Sequence, residues 1–540
     1  MRRSPFALRL LAVLPIAFLG YFFVYPLARI SILALAPRGA PDLTVFIDVL
    51  RDPDLVGVAW FTLWQAALST SITLVVGFPA AYVFAHYRFP GKTFLRALMT
   101  IPFVLPTLVV GAAFVALVGP GGALGIDLQG TITAIVVAHV FYNVPVIVRG
   151  VGSFWEQLDP QVTDAARTLG AGPLSVFRTV TAPLLAPAVV SSTALVFLFT
   201  FTSFGVILVL GGFRNATIEV EIWRQTTAFL RLDVAAALSL LQLGFLTAVL
   251  AAYNRYQERR AVGIRLRTGA SSARRPRSRT GRTVAVGIVA ATSALLLTPL
   301  AVLVGRSFVT ADGLGIGNYT GLGERTTALF VPPLEAVVNS VRLAVAATVL
   351  AVAVGIVAAA TIAYVRGPLA RGVDLLLMLP LAASAVTIGF GLLVSMGTPI
   401  DLRRSLLLIP IAHALVAIPF VVRSALPVLR AIRPRLREAA MVLGASPGRA
   451  WWTVDAPLAA RAFAVGTAFA FAVSVGEFGA TAFLARPAAP TLPVAIFRLL
   501  GQPGAETTGR AMALSVILMA LTALAVLAIE AARGGAVEEL

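Results

Sequence analysis

About twelve apolar stretches, each long enough to cross a bilayer, decide what this chain can fold into. A hydrocarbon core takes about 20 apolar residues of helix. Such stretches fall near residues 10–36, 60–85, 94–118, 131–151, 187–212 and 232–253, and again near 283–305, 338–364, 373–396, 405–426, 461–484 and 510–531. Composition agrees, with 59% of the 540 residues hydrophobic, 12% charged and a mean hydropathy of +0.91, whereas soluble domains run near a quarter charged. The expected fold is an all-α membrane protein. The first stretch contains "ALA" at Ala34–Ala36, but its apolar run is too long for a signal h-region and Pro37 would follow the cut, so an uncleaved anchor is expected.

The formal net charge of +19 would fit nucleic acid in a soluble chain. In a membrane chain, basic residues gather in cytoplasmic loops, and no nucleic-acid partner is expected. Arg2, Arg3 and Arg9 precede the first stretch, Arg88, Lys92 and Arg96 lie between the second and third, and ten arginines fall between Arg255 and Arg282. With alternating helices all of these share one side, so that side and both termini are read as cytoplasmic. Arg403 and Arg404 run against the trend, on the outer side. Residues 255–282 read as a polar tether between a first half, 1–254, and a second, 283–540.

The halves are copies. "DAARTLGAGPLSVFRTVTAP" at Asp164–Pro183 and "EAAMVLGASPGRAWWTVDAP" at Glu438–Pro457 lie 274 residues apart. The same offset aligns Ala138-His139 with Ala412-His413, Pro145 with Pro419, Arg149 with Arg423 and Phe204-Gly205 with Phe478-Gly479. Six spans, an even number, separate the copies. The halves therefore share one orientation and are related by an axis along the membrane normal, an arrangement that encloses a central pathway. Each repeated loop, about 152–186 and 427–460, follows the fourth span of its half and reads as a short helix ended by Gly170 or Gly444. A second short helix returning to the membrane is expected after it. Two matched, small-faced loops on one side suit the docking of other proteins better than they suit a cap on the bundle.

These loops resemble the EAA motif of binding-protein-dependent ABC importer permeases: EAA, three residues, Gly, nine residues, then I-x-L-P. Glu438, Ala439, Ala440, Gly444, Val454 and Pro457 match, with Ala456 in place of leucine; in the first copy Asp164 replaces the glutamate while Ala165, Ala166, Gly170, Val180 and Pro183 fit. The resemblance spans essentially the whole chain, including "RFPG" at Arg88–Gly91, "AHVFYNVP" at Ala138–Pro145, and "SFGVILVLGG" with "ATIEVEIW" up to Trp223. Permeases that fuse both halves, the ferric-iron and thiamine importers, are the most similar. The resemblance implies two separate ATP-binding subunits, each receiving one loop through Asp164–Gly170 or Glu438–Gly444, and an extracytoplasmic binding protein that delivers thiamine or ferric iron. It places the protein in a bacterial plasma membrane, among lipid, with no cofactor.

The chain itself carries no phosphate-binding loop of the pattern G-x-x-x-x-G-K-[ST]. Its one candidate, Gly91-Lys92-Thr93, would need glycine where His86 stands. It is therefore not expected to be an enzyme. With no cysteine and three histidines, metal centres have little material, and the matched His139 and His413 read as structural hydrogen-bonding groups. Glu477, expected inside the eleventh span, carries an ionisable group that costs about 2.5–3.5 kcal/mol at a helix centre. It and its counterpart Ser203 are candidate pathway residues, with a bundle-fixing hydrogen bond as the other reading. Between Gly211 and Asp233, the charges Arg214, Glu219, Glu221 and Arg224 are expected at the outer face, against the binding protein. A secondary transporter of two parallel six-helix repeats shares this geometry but has no need of two docking loops. No cluster of acid, base and nucleophile favours a membrane enzyme.

Overall fold

The computed structural model describes residues 11–37, 39–212, 214–260, 278–365 and 367–534. Most of the expected linker, 261–277, lies outside them, as do residues 1–10 and 535–540. Among the described residues ten helices are long and apolar enough to span a membrane: Val13–Leu35, Pro53–His86, Ile132–Gln157, Pro173–Phe201, Leu232–Arg259, Arg279–Ser307, Pro333–Tyr364, Leu408–Ala431, Pro447–Gly476 and Ala505–Ala531. Two further spans are helix pairs bent by 101°, Lys92–Val104 with Thr107–Val118 and Pro368–Pro380 with Ala385–Ser395. In chain order these make spans 1 to 12, six per half, all α-helical apart from a two-strand hairpin at Val309–Thr310 and Gly313–Leu314.

Four expected spans differ in detail. Spans 3 and 9, expected as single rods over 94–118 and 373–396, are broken near mid-length. Leu105 precedes Pro106 and takes the extended conformation (ψ 138°) that a following proline ring imposes. In span 9 the break falls at Ala383, and the Ser384 hydroxyl caps the new helix by accepting from the Thr387 amide at 3.0 Å. Spans 5 and 11, expected over 187–212 and 461–484, begin earlier, at Pro173 and Pro447, and stop at Phe201 and Gly476. The expected separate returning helix is thus the first turns of the span itself, joined to it through matched π-helical turns at Phe177–Thr181 and Trp451–Asp455.

After each stop the chain makes a shallow excursion. From the break it runs through Gly205–Leu210 to the far end of the bundle, where Gly130, just ahead of span 4, donates to the Leu210 carbonyl at 2.8 Å. It then dips back so that the Ile218 amide meets the Thr62 hydroxyl at 2.9 Å. Thr62 lies nine residues into span 2, roughly 14 Å below its end at 1.5 Å per residue. The helix Ile218–Thr227 climbs out again. The second half repeats this with Leu492–Leu500, whose Leu492 amide meets the Ser340 hydroxyl of span 8 at 2.6 Å.

The halves interlock through their first spans. The Tyr25–Leu35 part of span 1 packs on Ala385–Ser395 of the second half, and span 7 packs on Thr107–Val118 of the first. A Cβ at Gly391 would lie 3.1 Å from Ile30 Cδ1 and 3.1 Å from Pro26 Cβ. Within each half, spans 2 and 4 and spans 8 and 10 meet over matched glycines. A Cβ at Gly77 would lie 2.9 Å from Ile147 Cγ2, and one at Gly355 2.9 Å from Val421 Cγ1. Ile147 and Val421 are partners in the 274-residue repeat. Small residues let helix backbones approach where lipid supplies no hydrophobic drive between helices. Gly77→Leu and Gly355→Leu should therefore each cost about 1–3 kcal/mol by overpacking, read as a lowered unfolding midpoint of the purified protein in detergent. Gly244→Leu in span 6, where nothing lies within 4 Å of the added Cβ, should leave the midpoint unchanged or raised.

Candidate coupling loops and central pathway

Both repeated loops stand clear of the bundle at one end. Each begins with proline in the first helical turn, at Pro160–Thr168 and Pro434–Val442, and neither helix has a buried residue. Each closes in the same way. The Gly170 amide donates to Arg167 O at 2.9 Å and the Ala171 amide to Ala166 O at 3.1 Å; Gly444 donates to Met441 O at 3.0 Å and Ala445 to Ala440 O at 3.0 Å. This is the paired pattern of a Schellman cap. It needs a left-handed residue, and Gly170 and Gly444 have φ of +86° and +87°. The A-A-x-x-x-G spacing is thereby explained: the carbonyl of the second alanine is the acceptor that the residue after the glycine must reach.

The glycines are not contact points within this chain, since a Cβ at either would meet nothing within 4 Å. The apolar residues beside them were missed by sequence reasoning. Leu169 is 89% exposed, Leu443 88% and Val442 87%, although "TLG" and "VLG" carried the signal. A repeated exposed leucine at a cap marks a surface made to be covered. Asp164 is exposed and pairs with Arg167 at 3.4 Å on its own helix; Glu438, Ala165 and Ala439 are exposed, and Ala166 and Ala440 half-buried.

At the breaks that end spans 5 and 11, Ser203 and Glu477 occupy equivalent places and do unequal amounts. Glu477, expected inside a span, instead follows its last residue and caps the next short helix. Its carboxylate accepts from the Ala480 amide at 2.9 Å, the Thr481 amide at 3.1 Å and the Thr481 hydroxyl at 2.7 Å. His413 joins it, with Nε2 3.3 Å from Glu477 Oε2 and 2.7 Å from Thr481 Oγ1, and Nδ1 2.8 Å from Ser474 Oγ. In the first half His139 Nε2 lies 2.9 Å from Ser203 Oγ and Nδ1 3.3 Å from Ser69 Oγ. Both histidines are buried hydrogen-bonding groups.

Next to Ser203 and Glu477 stand Phe204 and Phe478, whose rings stack with centroids 5.2 Å apart at 22°. They are the same position in the two copies. Two equivalent residues touch only where they straddle the axis that relates them, so this pair marks the axis. Trp223 and Phe497, on the two dipping helices and also 274 residues apart, meet edge to face at 6.0 Å. Phe204 lies 6.5 Å from Trp223 and Phe478 5.6 Å from Phe497. Four aromatic rings fill the axis; the repeat aligned Phe204 with Phe478, but sequence reasoning gave none of the four a role. A cavity of about 490 Å³ lies on the loop side of this quartet, lined by Arg149, Ser191, Tyr253, Phe469 and Glu530 among others. A second, of about 710 Å³, lies on the opposite side and includes Phe497, Arg306, Gln129 and Thr508.

The four charges expected on an outer docking face divide. Arg214 is exposed and Arg224 half-buried. Glu219 and Glu221 are 0% and 7% exposed, so they are not surface charges acting through solvent. The first turn of Ile218–Thr227 carries them below the surface because the helix dips. Glu219 accepts from Gln242 of span 6 and, at 3.1 Å, from the Ser384 hydroxyl of the other half. Glu221 accepts from Gln225 at 2.7 Å and faces Arg224 at 3.8 Å.

A family model described as binding-protein-dependent transport system inner membrane component matches residues 73–261. The chain is similar along nearly its whole length to the thiamine transport system permease protein ThiP of Brucella abortus, 28% identical over 534 residues and 94% of each chain. It is similar to the probable ABC transporter permease protein y4fN of Sinorhizobium fredii, 26% identical over 481 residues and 83% of each chain. The sulfate transport system permease protein CysT of Salmonella typhimurium is 37% identical over 172 residues, 31% of this chain and 62% of that one.

The unequal polar clusters give a measurable difference. Glu477→Ala strands two buried amides, a hydroxyl and His413, and should cost about 3 kcal/mol. Ser203→Ala removes one partner of His139 and should cost about 1 kcal/mol. Unfolding of the two purified variants in detergent checks the order, and equal losses would contradict it.

Proposed function

This chain belongs to the binding-protein-dependent transport system inner membrane components, the permeases of ABC importers, and from that premise we propose that one copy of it forms the complete translocation pathway for thiamine. The observation that carries the coupling half of this reading is the pair of exposed, identically capped loops. Each presents a leucine that this chain leaves uncovered, and a pair of ATP-binding subunits on the cytoplasmic side would cover both. Hydrolysis then belongs to those subunits, and both termini of the permease are cytoplasmic. Thiamine is preferred because the relatives matched along 94% of their length are thiamine permeases. The relatives named above give ferric iron no comparable support.

The aromatic quartet supplies the barrier. Phe204, Phe478, Trp223 and Phe497 close the axis between the two cavities, and Ser203 and Glu477 hold the two backbone breaks from which the phenylalanines project. A solute delivered by an extracytoplasmic binding protein crosses when the halves part at this level and the Glu219–Ser384 hydrogen bond opens with them. Arg214 remains a candidate contact for that protein; Glu219 and Glu221 belong to the barrier instead. A secondary transporter leaves the two capped loops without a use.

Because no atom of this chain lies within 4 Å of a Cβ at Gly170 or Gly444, a bulky residue there meets only the local left-handed strain of the cap, and its size tests the partner. Gly170→Trp with Gly444→Trp should insert normally and still dock binding protein, while uptake of labelled thiamine and stimulated ATP hydrolysis in reconstituted vesicles fall at least about tenfold, a left-handed strain of about 1–2 kcal/mol at each of two exposed loop positions being local to the caps. Normal coupling in that variant would refute the lever reading. Phe204→Ala with Phe478→Ala should raise ATP hydrolysis in the absence of binding protein and lower the thiamine moved per ATP, because the barrier no longer requires a loaded complex to open it. An unchanged basal rate would remove these residues from the barrier.

A further inference from the structure

The two coupling helices are attached to the bundle by different chemistry. In the second half Asp455 lies in the π-helical turn that joins the loop to span 11, fully buried at 0% exposure. Its Oδ1 accepts from Arg437 Nε of the coupling helix at 2.8 Å and from the Tyr364 hydroxyl at the end of span 8 at 2.9 Å. The Arg437 guanidinium also sits over the Tyr364 ring, 4.2 Å from its centroid. One carboxylate oxygen therefore binds the coupling helix, span 8 and span 11 at a single point. At the repeat-equivalent positions of the first half stand Thr163 and Thr181, and His86 takes the place of Tyr364 at the end of span 2. Thr163 donates to Pro160 O at 2.8 Å, and His86 Nδ1 lies 3.1 Å from Tyr82 O, each on its own helix. Thr163, Thr181 and His86 include no carboxylate, so these equivalent positions do not repeat the charged junction.

We propose that Asp455 is a positioning residue that makes the second coupling helix, span 8 and span 11 move as one body, so that the second loop carries the larger share of the mechanical coupling. This rests on the reading of the loops as the docking points of ATPase subunits. A hydrogen-bonded ion pair with one member buried is stronger than a neutral contact and resists a relative shift of its partners. Removing the charge leaves the loop helix with its own cap and proline start intact, so it keeps its shape while losing its attachment.

The experiment uses the full complex in lipid vesicles and exploits the absence of cysteine from the chain. Spin labels at Arg435→Cys on the coupling helix and Val349→Cys on the lipid-facing side of span 8 report their separation without nucleotide and after trapping with ATP and vanadate. In the parent the separation is expected to hold its value between the two states. In Asp455→Asn it should shift or broaden on trapping, and the thiamine moved per ATP should fall about tenfold, the scale of one charge-assisted hydrogen bond. Arg437→Gln should give a similar loss, and the double variant no greater one, since both act through one contact. If Asp455→Asn fails to insert, Tyr364→Phe and Arg437→Gln read the same quantities. Unchanged separation and ratio, or losses that add in the double variant, would overturn the proposal. If the glycine double variant uncouples while Asp455→Asn does not, only the junction fails; if both stay coupled, the docking reading fails with it.

Discussion

A helix can stop inside a bilayer only where the N–H and C=O groups it frees find partners within the protein, and the centre of this molecule is built around four such stops. The carbonyl of Thr200 at the end of span 5 takes the Gln65 amide at 3.1 Å, and that of Ser203 takes the Thr217 hydroxyl at 3.2 Å. Ser384 caps the outer piece of span 9, and Glu477 caps the short helix beyond span 11. Thr62 and Ser340 receive the first amides of the dipping helices. Gln65, Thr62 and Ser340 come from neighbouring spans, while Ser384, Glu477 and Thr217 act within their own segments, so packing and local capping together specify the breaks. The aromatic rings at the axis are delivered by these breaks, because a continuous helix would not return the chain to the same depth.

Duplication places the breaks in pairs, and divergence then makes the members of each pair unequal. Glu477 faces Ser203, Asp455 faces Thr181, and Glu219 faces Pro493 across the repeat. In each case one half holds a buried carboxylate and the other a neutral residue. A buried charge tolerates relative motion of its partners poorly, because losing one leaves the charge uncompensated. Glu477 and Asp455 thus place a buried, hydrogen-bonded carboxylate at both ends of span 11. Glu219 reaches the opposite way, from the first half to Ser384 of the second. The pseudo-symmetric frame thus contains three asymmetric fixings, all near the route from the loops to the axis.

How much of this the sequence disclosed follows from the range of each interaction. The spans, the duplication and the capped loops rest on local patterns: apolar length, a fixed offset, proline at a helix start and glycine at its end. The break in span 3 was written locally, in Pro106, and that in span 9 is marked by the Ser384 cap, but their apolar runs of expected length masked the bend. The depth of Glu219 and Glu221 was not legible. A stretch with two glutamates and two arginines reads as exposed, and only the pairing of Ile218 with Thr62, 156 residues away, reveals that it dips. Glu477 and His413 are likewise brought together from 64 residues apart. The Phe204–Phe478 and Trp223–Phe497 contacts follow from placing the duplicated halves around their axis, and that step needs the packing distance as well as the repeat.

The length of span 5 explains how a movement at the loops reaches the axis. From Pro173, three residues after the glycine cap, to Phe201, three residues before Phe204, the helix runs for 29 residues, about 43 Å at 1.5 Å per residue. Pro447–Gly476 repeats this in the second half. A tilt of about 10° over such a length displaces the far end by roughly 7 Å, more than the 5.2 Å between the stacked rings of Phe204 and Phe478. No relay of small side-chain shifts is required. If the loops are docking points, one helix would carry their movement to the break beside the aromatic ring, with the π-helical turn near its base, at Thr181 or Asp455, as the fulcrum. A fulcrum held by threonine and one held by an ion-paired aspartate turn the same rod with different slack, so the two rings on the axis need not be driven equally by equal motions of the loops.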